Sequence, residues 1–382
     1  MGASLLPIVG LLAFQVVVLL LGTAVHELGH ALASRAVGFR VAGVRVGPLL
    51  AVPVESGGWR VRLTWEMAVG GELLPDPVRP DRLRARHAAM IAGGPVAHLV
   101  LAGMAVAVAQ AVGGVLLWFT AATLAAGALA NLVPGRPRLS GRWTDGRWLL
   151  AWLTEPERAA QRVGLGVLQR AVAAGQRPSE WDEQWARLAA AGARHLADRA
   201  QVAGCLLAYA RAVDCGQVDR AAALLTRAFA ARRLLPAGAR RSLAAETAFF
   251  VARFRGSHAL AARLLEADVA DRPGVAVADV ERARAAVHLA SGRFPEALAA
   301  CDLALAALDR ARSRPTGLVR FDRDLVAAMR DQARSGPTDQ GGPAGQILWS
   351  GGLLPIGQAG TPSRSAGPEP EAGDDVDSGC TG

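Results

Sequence analysis

His26-Glu27-Leu28-Gly29-His30 places two imidazoles four positions apart and a carboxylate beside the first. On a helix, positions i and i+4 share a face, so both rings can reach one ion. A zinc ion with three protein ligands keeps one position open, which marks a catalytic rather than a structural centre. The carboxylate of Glu27 can then accept a proton from water at that open position. The surroundings lift this pattern above chance. Residues 1–21 contain no charged side chain, and the apolar run resumes after His30 through Ala36. A carboxylate at the centre of a membrane helix costs about 2.5–3.5 kcal/mol on insertion scales, so a functional partner is its default reading there.

Two imidazoles need a third protein donor. No acidic residue occurs between Asp81 and Asp145. Asp145 stands in Trp143-Thr144-Asp145-Gly146, just ahead of the apolar run from Trp148 to Leu153. That position suits a ligand or a helix cap equally well. Two further polar groups sit in apolar stretches, His98 and Asn131. His98 can donate and accept hydrogen bonds, which fits substrate positioning, packing or a metal contact. His87, beside Arg84 and Arg86, reads as an interfacial side chain. His195, His258 and His288 are scattered and read as packing or surface positions.

Three apolar segments must carry these groups. Leu5–Ala36, His87–Gln110 and Val112–Val133 are each long enough for a bilayer that needs about 20 apolar residues. Gly113 and Gly114 supply a tight turn between the second and third. The stretch 35–86 carries nine arginines, and Arg136, Arg138, Arg142 and Arg147 follow the third span; the extreme N-terminus and the turn near 111 carry none. Basic loops stay cytoplasmic, so the expected orientation is N-terminus outside and C-terminal half inside. Between the first two spans the period changes. Trp59–Trp65 alternates basic or polar with apolar residues, Ser56-Gly57-Gly58 is a turn leading back to Leu49–Val54, and Arg40–Val46 suits a further strand. Residues 39–72 are read as a small β insert at the membrane surface.

The predicted fold class is mainly α: a three-helix transmembrane core with a small β insert, followed by a cytosolic helical domain. The expected divisions are a first span over 1–38, a β insert and basic loop over 39–86, a transmembrane hairpin with the third-ligand loop over 87–150, a helical domain over 151–335, and a disordered tail over 336–382. In the helical half, Gly216, Val218, Ala221 and Ala228 have the same offsets as Gly292, Phe294, Ala297 and Ala304, with Gly256 and Ala261 between them. The spacing of 36–40 residues suits helix-pair repeats, whose stacking leaves a groove for a protein or peptide partner. A plain helical bundle is the alternative. The tail is rich in Gly, Pro, Ser and acids and cannot bury a core. The net charge is +9, every basic side chain is Arg, and there is one Tyr. No basic stretch interleaves with aromatics, so no nucleic-acid surface is expected. Cys205, Cys215, Cys301 and Cys380 lack zinc-ribbon spacing and read as reduced.

Together these motifs resemble the site-2 protease family of intramembrane zinc metalloproteases: HELGH at 26–30, GGP at 93–95, NLVP at 131–134 and DG at 145–146, in order over roughly residues 5–150. The resemblance implies Zn2+ held by His26, His30 and Asp145, with Glu27 catalytic and His98 and Asn131 positioning substrate. His98 stands where that family carries Asn, and the Asn131–Asp145 spacing is longer than its shortest pattern, so the loop after Pro134 must double back. The implied activity is peptide hydrolysis in membrane-embedded or membrane-anchored proteins, in a multi-pass protein of a bacterial cell membrane. The helical half, most clearly Arg282–Leu308, looks like tetratricopeptide repeats. The competing reading is a catalytically silent, membrane-anchored scaffold that binds partners through those repeats. A scaffold has no need of all four polar groups. A metal transporter is a weaker third reading, given so few intramembrane carboxylates.

Overall fold

The computed structural model describes residues 6–54, 57–64, 70–135, 143–192, 196–268, 276–310 and 316–336. The predicted tail, apart from Gly336, therefore lies outside the described residues, as do Trp65, His195 and Cys380.

The first span forms α1 (Leu6–Ala36). It leads into four strands, β1 (Phe39–Val46), β2 (Leu49–Pro53), β3 (Trp59–Leu63) and β4 (Gly71–Pro77), then into α2 (Leu83–Val112) and α3 (Val115–Leu132). All three helices are long and apolar enough to cross a membrane. Their outer surfaces are apolar, with Leu12, Val16, Val100 and Met104 each more than half exposed. Such a continuous apolar surface suits lipid rather than water. Gly113 and Gly114 take φ of 79° and 107° in the turn between α2 and α3, which side-chain-bearing residues rarely adopt.

The sheet is antiparallel, in the order β3-β2-β1-β4. Three strands fall at the predicted positions, β3 on its alternation and β2 on the turn before it; β4 does not announce itself in the sequence. Pro75 and Pro77 interrupt it and it shows no alternation. Those prolines are tolerable because β4 is an edge strand with one side free of ladder bonds. It pairs with β1 from Phe39–Pro77 to Val46–Gly71, with an irregularity at Val41/Gly43.

α1, α2 and α3 pack on one another. α1 and α2 pack tightly where Gly29 faces Gly93; a Cβ on Gly29 would lie 2.3 Å from the Gly93 carbonyl oxygen. Past the spans, α4 (Asp145–Thr154) packs against α2 and α3 and is followed by α5 (Pro156–Ala173). The remaining helices are α6 (Glu183–Ala190), α7 (Arg199–Asp214), α8 (Val218–Ala230), α9 (Ala237–Arg255), α10 (His258–Asp268), α11 (Val277–Ala290), α12 (Phe294–Arg310) and α13 (Thr316–Ser335). One apolar cluster runs from Met90 and Ile91 of α2 through Trp152 of α4 and Leu168 of α5 to α7 and α8. A second joins α9 to α12. α13 belongs to both: Phe321 enters the first, and Val326 and Met329 enter the second. Its Asp324 pairs with Arg177, just after α5, and its Arg320 donates to the Gly175 carbonyl at 3.1 Å. Cys205 and Cys301 are buried free thiols.

Candidate metal centre

α1 carries His26, Glu27 and His30, all buried. The His26 and His30 Nε2 atoms lie 3.1 Å apart. Asp145 Oδ2 lies 3.0 Å from His26 Nε2 and 3.4 Å from His30 Nε2. Tetrahedral zinc, with ligands at about 2.0–2.1 Å, requires donor atoms roughly 3.3–3.4 Å apart. The His30–Asp145 edge meets that requirement and the other two are a few tenths of an ångström short of it, so the set fits zinc in donor type and in convergence on one point. Gly94 of α2 forms its floor: a Cβ there would sit 2.3 Å from His30 Nε2 and 2.7 Å from His26 Nε2. The absent side chain thus leaves open the space on which the donors converge.

His30 Nδ1 lies 2.9 Å from the Met90 carbonyl and 3.2 Å from the Gly94 amide nitrogen. The carbonyl can only accept and the amide N–H can only donate, so the two contacts ask opposite protonation of Nδ1; with the proton on Nδ1, toward the nearer Met90 carbonyl, Nε2 keeps its lone pair for an ion, the usual arrangement for a ligating imidazole. His26 Nδ1 is buried with no hydrogen-bond partner among the described residues.

Asp145 reaches the imidazoles because α4 starts against the end of α3. A Cβ on Gly146 would lie 1.8 Å from the Leu132 carbonyl oxygen, so only glycine permits this approach. Thr144 is the N-cap: its Oγ1 accepts from the Arg147 amide at 3.2 Å and donates to the Val133 carbonyl at 2.8 Å. The cap role therefore falls to Thr144, leaving the Asp145 carboxylate to face α1. The Thr144 amide donates to the Gly135 carbonyl at 3.1 Å, so the chain returns to the end of α3, as the long Asn131–Asp145 spacing demands. Burial pushes the Asp145 carboxyl up, but its hydrogen bonds with His26 and His30 more than offset this and hold it below the usual carboxylate range.

Asn131, on the last turn of α3, places Nδ2 2.6 Å from Asp145 Oδ2 and 2.8 Å from His26 Nε2. The Asn131 amide thus donates to the third donor. His98 lies one turn beyond Gly94 on α2, with its ring 5.6 Å from that of His26. It fills a gap made by two glycines: a Cβ on Gly22 would lie 2.9 Å from His98 Nε2, and one on Gly127 3.1 Å from His98 Cε1. Its Nε2 is buried without a hydrogen-bond partner among the described residues.

Glu27 has a carboxylate oxygen within 4.8 Å of the imidazole nitrogens. Two carboxylates thus adjoin the histidine pair, and they differ. Asp145 closes the short triangle. Glu27 points under the start of β4, where the Leu73 amide donates to it and a Cβ on Gly71 would lie 2.2 Å from its Oε1. Its other oxygen, Oε2, has no hydrogen-bond partner among the described residues.

Four contributions escaped the sequence: Gly94, Gly146 and Gly71 as spaces for donors, and His87. The doubled Gly93-Gly94 ahead of Pro95 and the Gly after Asp145 are the signals that could have led there. His87 is not interfacial. It is 4% exposed and accepts a hydrogen bond at Nδ1 from the Trp152 indole at 2.9 Å.

The model of peptidase family M50 matches residues 14–310, from within α1 to the end of α12. No curated protein and no solved structure matches the chain.

Proposed function

The chain belongs to peptidase family M50, the family of membrane metallopeptidases, and from that premise we propose that it is a zinc endopeptidase of the site-2 protease type, cleaving membrane-embedded or membrane-anchored proteins. The triangle of His26, His30 and Asp145 over Gly94 carries this reading. Those three residues would hold Zn2+, which when bound supplies a Lewis acid that polarises a carbonyl and lowers the pKa of adjacent water.

The protein's own groups then have distinct tasks. Glu27 Oε2, unpartnered beside the histidine pair, accepts the proton of the attacking water and returns it to the leaving amine. Asn131 holds the Asp145 carboxylate and presents an amide to the substrate backbone. The unpartnered Nε2 of His98 offers a second polar contact for substrate. A helical substrate must unwind first, and the free edge of β4, directly above Glu27, can receive the extended segment by strand addition.

In the same reading the N-terminus lies outside and the helical half in the cytoplasm, on the arginine distribution. The helical half is a tetratricopeptide-like array that takes a protein or peptide partner. Support comes from equivalent positions sharing one environment. Gly216, Gly256 and Gly292 have φ of 69°, 65° and 74° at helix–helix turns, and Ala221, Ala261 and Ala297 are each fully buried. Side chains also meet one repeat length apart: Tyr209 donates to Glu246 at 2.6 Å and Arg220 to Glu183 at 2.8 Å.

The test is Glu27→Gln in the full chain, reconstituted in vesicles with a membrane-anchored reporter. The variant is expected to keep its fold and zinc content and to lose cleavage. Cleavage at the native rate would refute the role of Glu27.

A further inference from the structure

α4 must be fixed in rotation as well as position if Asp145 is to stay on the imidazoles. Thr144 and Gly146 fix only its first turn. Asp145, Trp148 and Trp152 stand at i, i+3 and i+7, one face of the helix. Two turns beyond Asp145, that face meets α2 at a buried polar contact, the Trp152 Nε1–H bond to His87 Nδ1 at 2.9 Å. An indole N–H can only donate, so His87 Nδ1 is the acceptor. The His87 ring is enclosed by Trp148 at 5.2 Å, Trp152 at 5.6 Å and Phe39 at 6.3 Å between centroids.

His87 also stands on the face of α2 that serves the other donors. The buried positions there include His87, Met90, Gly94 and His98. Met90 orients His30 through its carbonyl, and Gly94 leaves the space between the donors. α2 is therefore the common reference for donors from both sides. It orients His30 directly and reaches Asp145 through α4.

We propose that His87 and Trp152 are positioning residues, whose hydrogen bond sets the register of α4 so that Asp145 completes the donor triangle. Neither touches the donors. The inference rests on Asp145 being the third ligand. Groups bonded directly to metal ligands typically contribute ~10–100-fold in metal affinity; His87 and Trp152 act one step further out, through the helix that carries Asp145, where displacements near 1 Å at a site carry comparable penalties.

The experiment uses the purified full chain in detergent. Zinc affinity is measured by competition with a chromophoric chelator, and ligand geometry by the visible absorption of the cobalt-substituted protein. Trp152→Phe keeps the ring and removes the donor; His87→Leu removes the acceptor. Each is expected to weaken zinc binding ~10–100-fold and to shift the cobalt bands. His87→Asn carries Oδ1 in place of Nδ1 and is expected to restore near-native affinity and bands. Packing alone would lower thermal stability in all three variants and leave the cobalt spectrum unmoved; that outcome overturns the proposal. So does an Asn variant as weak as the Leu variant, and this pair decides the matter if Trp152→Phe does not fold. Asp145→Ala separates the two layers. Native zinc affinity in that variant removes Asp145 as a ligand. Weak binding there beside native binding in Trp152→Phe removes only the positioning role.

Discussion

Gly94 sets the sharpest residue-scale expectation. A methyl group there enters the space between the two Nε2 atoms, 2.3 and 2.7 Å away, and helix backbone behind it leaves no retreat. Gly94→Ala is expected to abolish stoichiometric zinc by elemental analysis while circular dichroism stays helical; a zinc-replete variant would show that the ion sits elsewhere. Gly71→Ala acts on Glu27 instead, since its Cβ meets the carboxylate. It is expected to retain zinc and lose most cleavage in the vesicle assay. At this scale the sequence was legible wherever chemistry and periodicity coincided. His26, Glu27 and His30 announce themselves by spacing in an apolar run. Asp145 is evenly split between ligand and cap on its residue type and enters the ligand set only through the family resemblance; the side-chain bonds of Thr144 give the cap to that neighbour. The glycines were opaque for another reason, since their contribution is space and depends on which helix lies opposite.

Among elements, α4 is the joint between the two halves. Its first turn carries Asp145 and leans on α3 through Gly146. Arg147 and Arg162 both lie over Trp143, at 5.0 and 4.2 Å, and Arg158 and Arg162 bind Asp198, the N-cap of α7, at 2.6 and 2.8 Å. Gly146→Ala must push α4 from the Leu132 carbonyl, taking Asp145 with it. Reduced zinc affinity at unchanged helicity is the expected result, and the cobalt spectrum reads it directly. The same half reaches the sheet, since Arg170 of α5 pairs with Asp76 of β4 at 3.2 Å. The spans were legible from length and apolarity, and their turn from paired glycines. β4 was not, because an edge strand carrying two prolines shows no alternation; only pairing with β1 defines it.

The helical half is expected to respond to acid as a unit. Burial pushes the Asp198 carboxyl up, but Arg158, the Gln201 amide and Arg162 more than offset it. Asp214 behaves likewise, its burial outweighed by Arg177 and the Ser179 amide. Both folded-state values lie below the ordinary carboxylate, so their stabilisation is present above the unfolded value, about pH 3.9, and is lost as pH falls through the folded ones. Thermal scans are expected to show declining stability as pH drops below about 4, with a shallower decline in an Asp198→Asn/Asp214→Asn double variant. That comparison isolates these two acids from Glu246, whose carboxyl burial pushes the other way. The placing of α13 has a consequence for how this half comes apart. A stack of helix pairs can fray from either end, because each pair leans only on its neighbours. Among the described residues, α13 buries Phe321 in the cluster that contains α5, α7 and α8 and Val326 in the one that contains α9 to α12, so one helix rivets both clusters together. Chemical denaturation of this half is then expected as a single event, and Phe321→Ala, by loosening the rivet, is expected to split it into two.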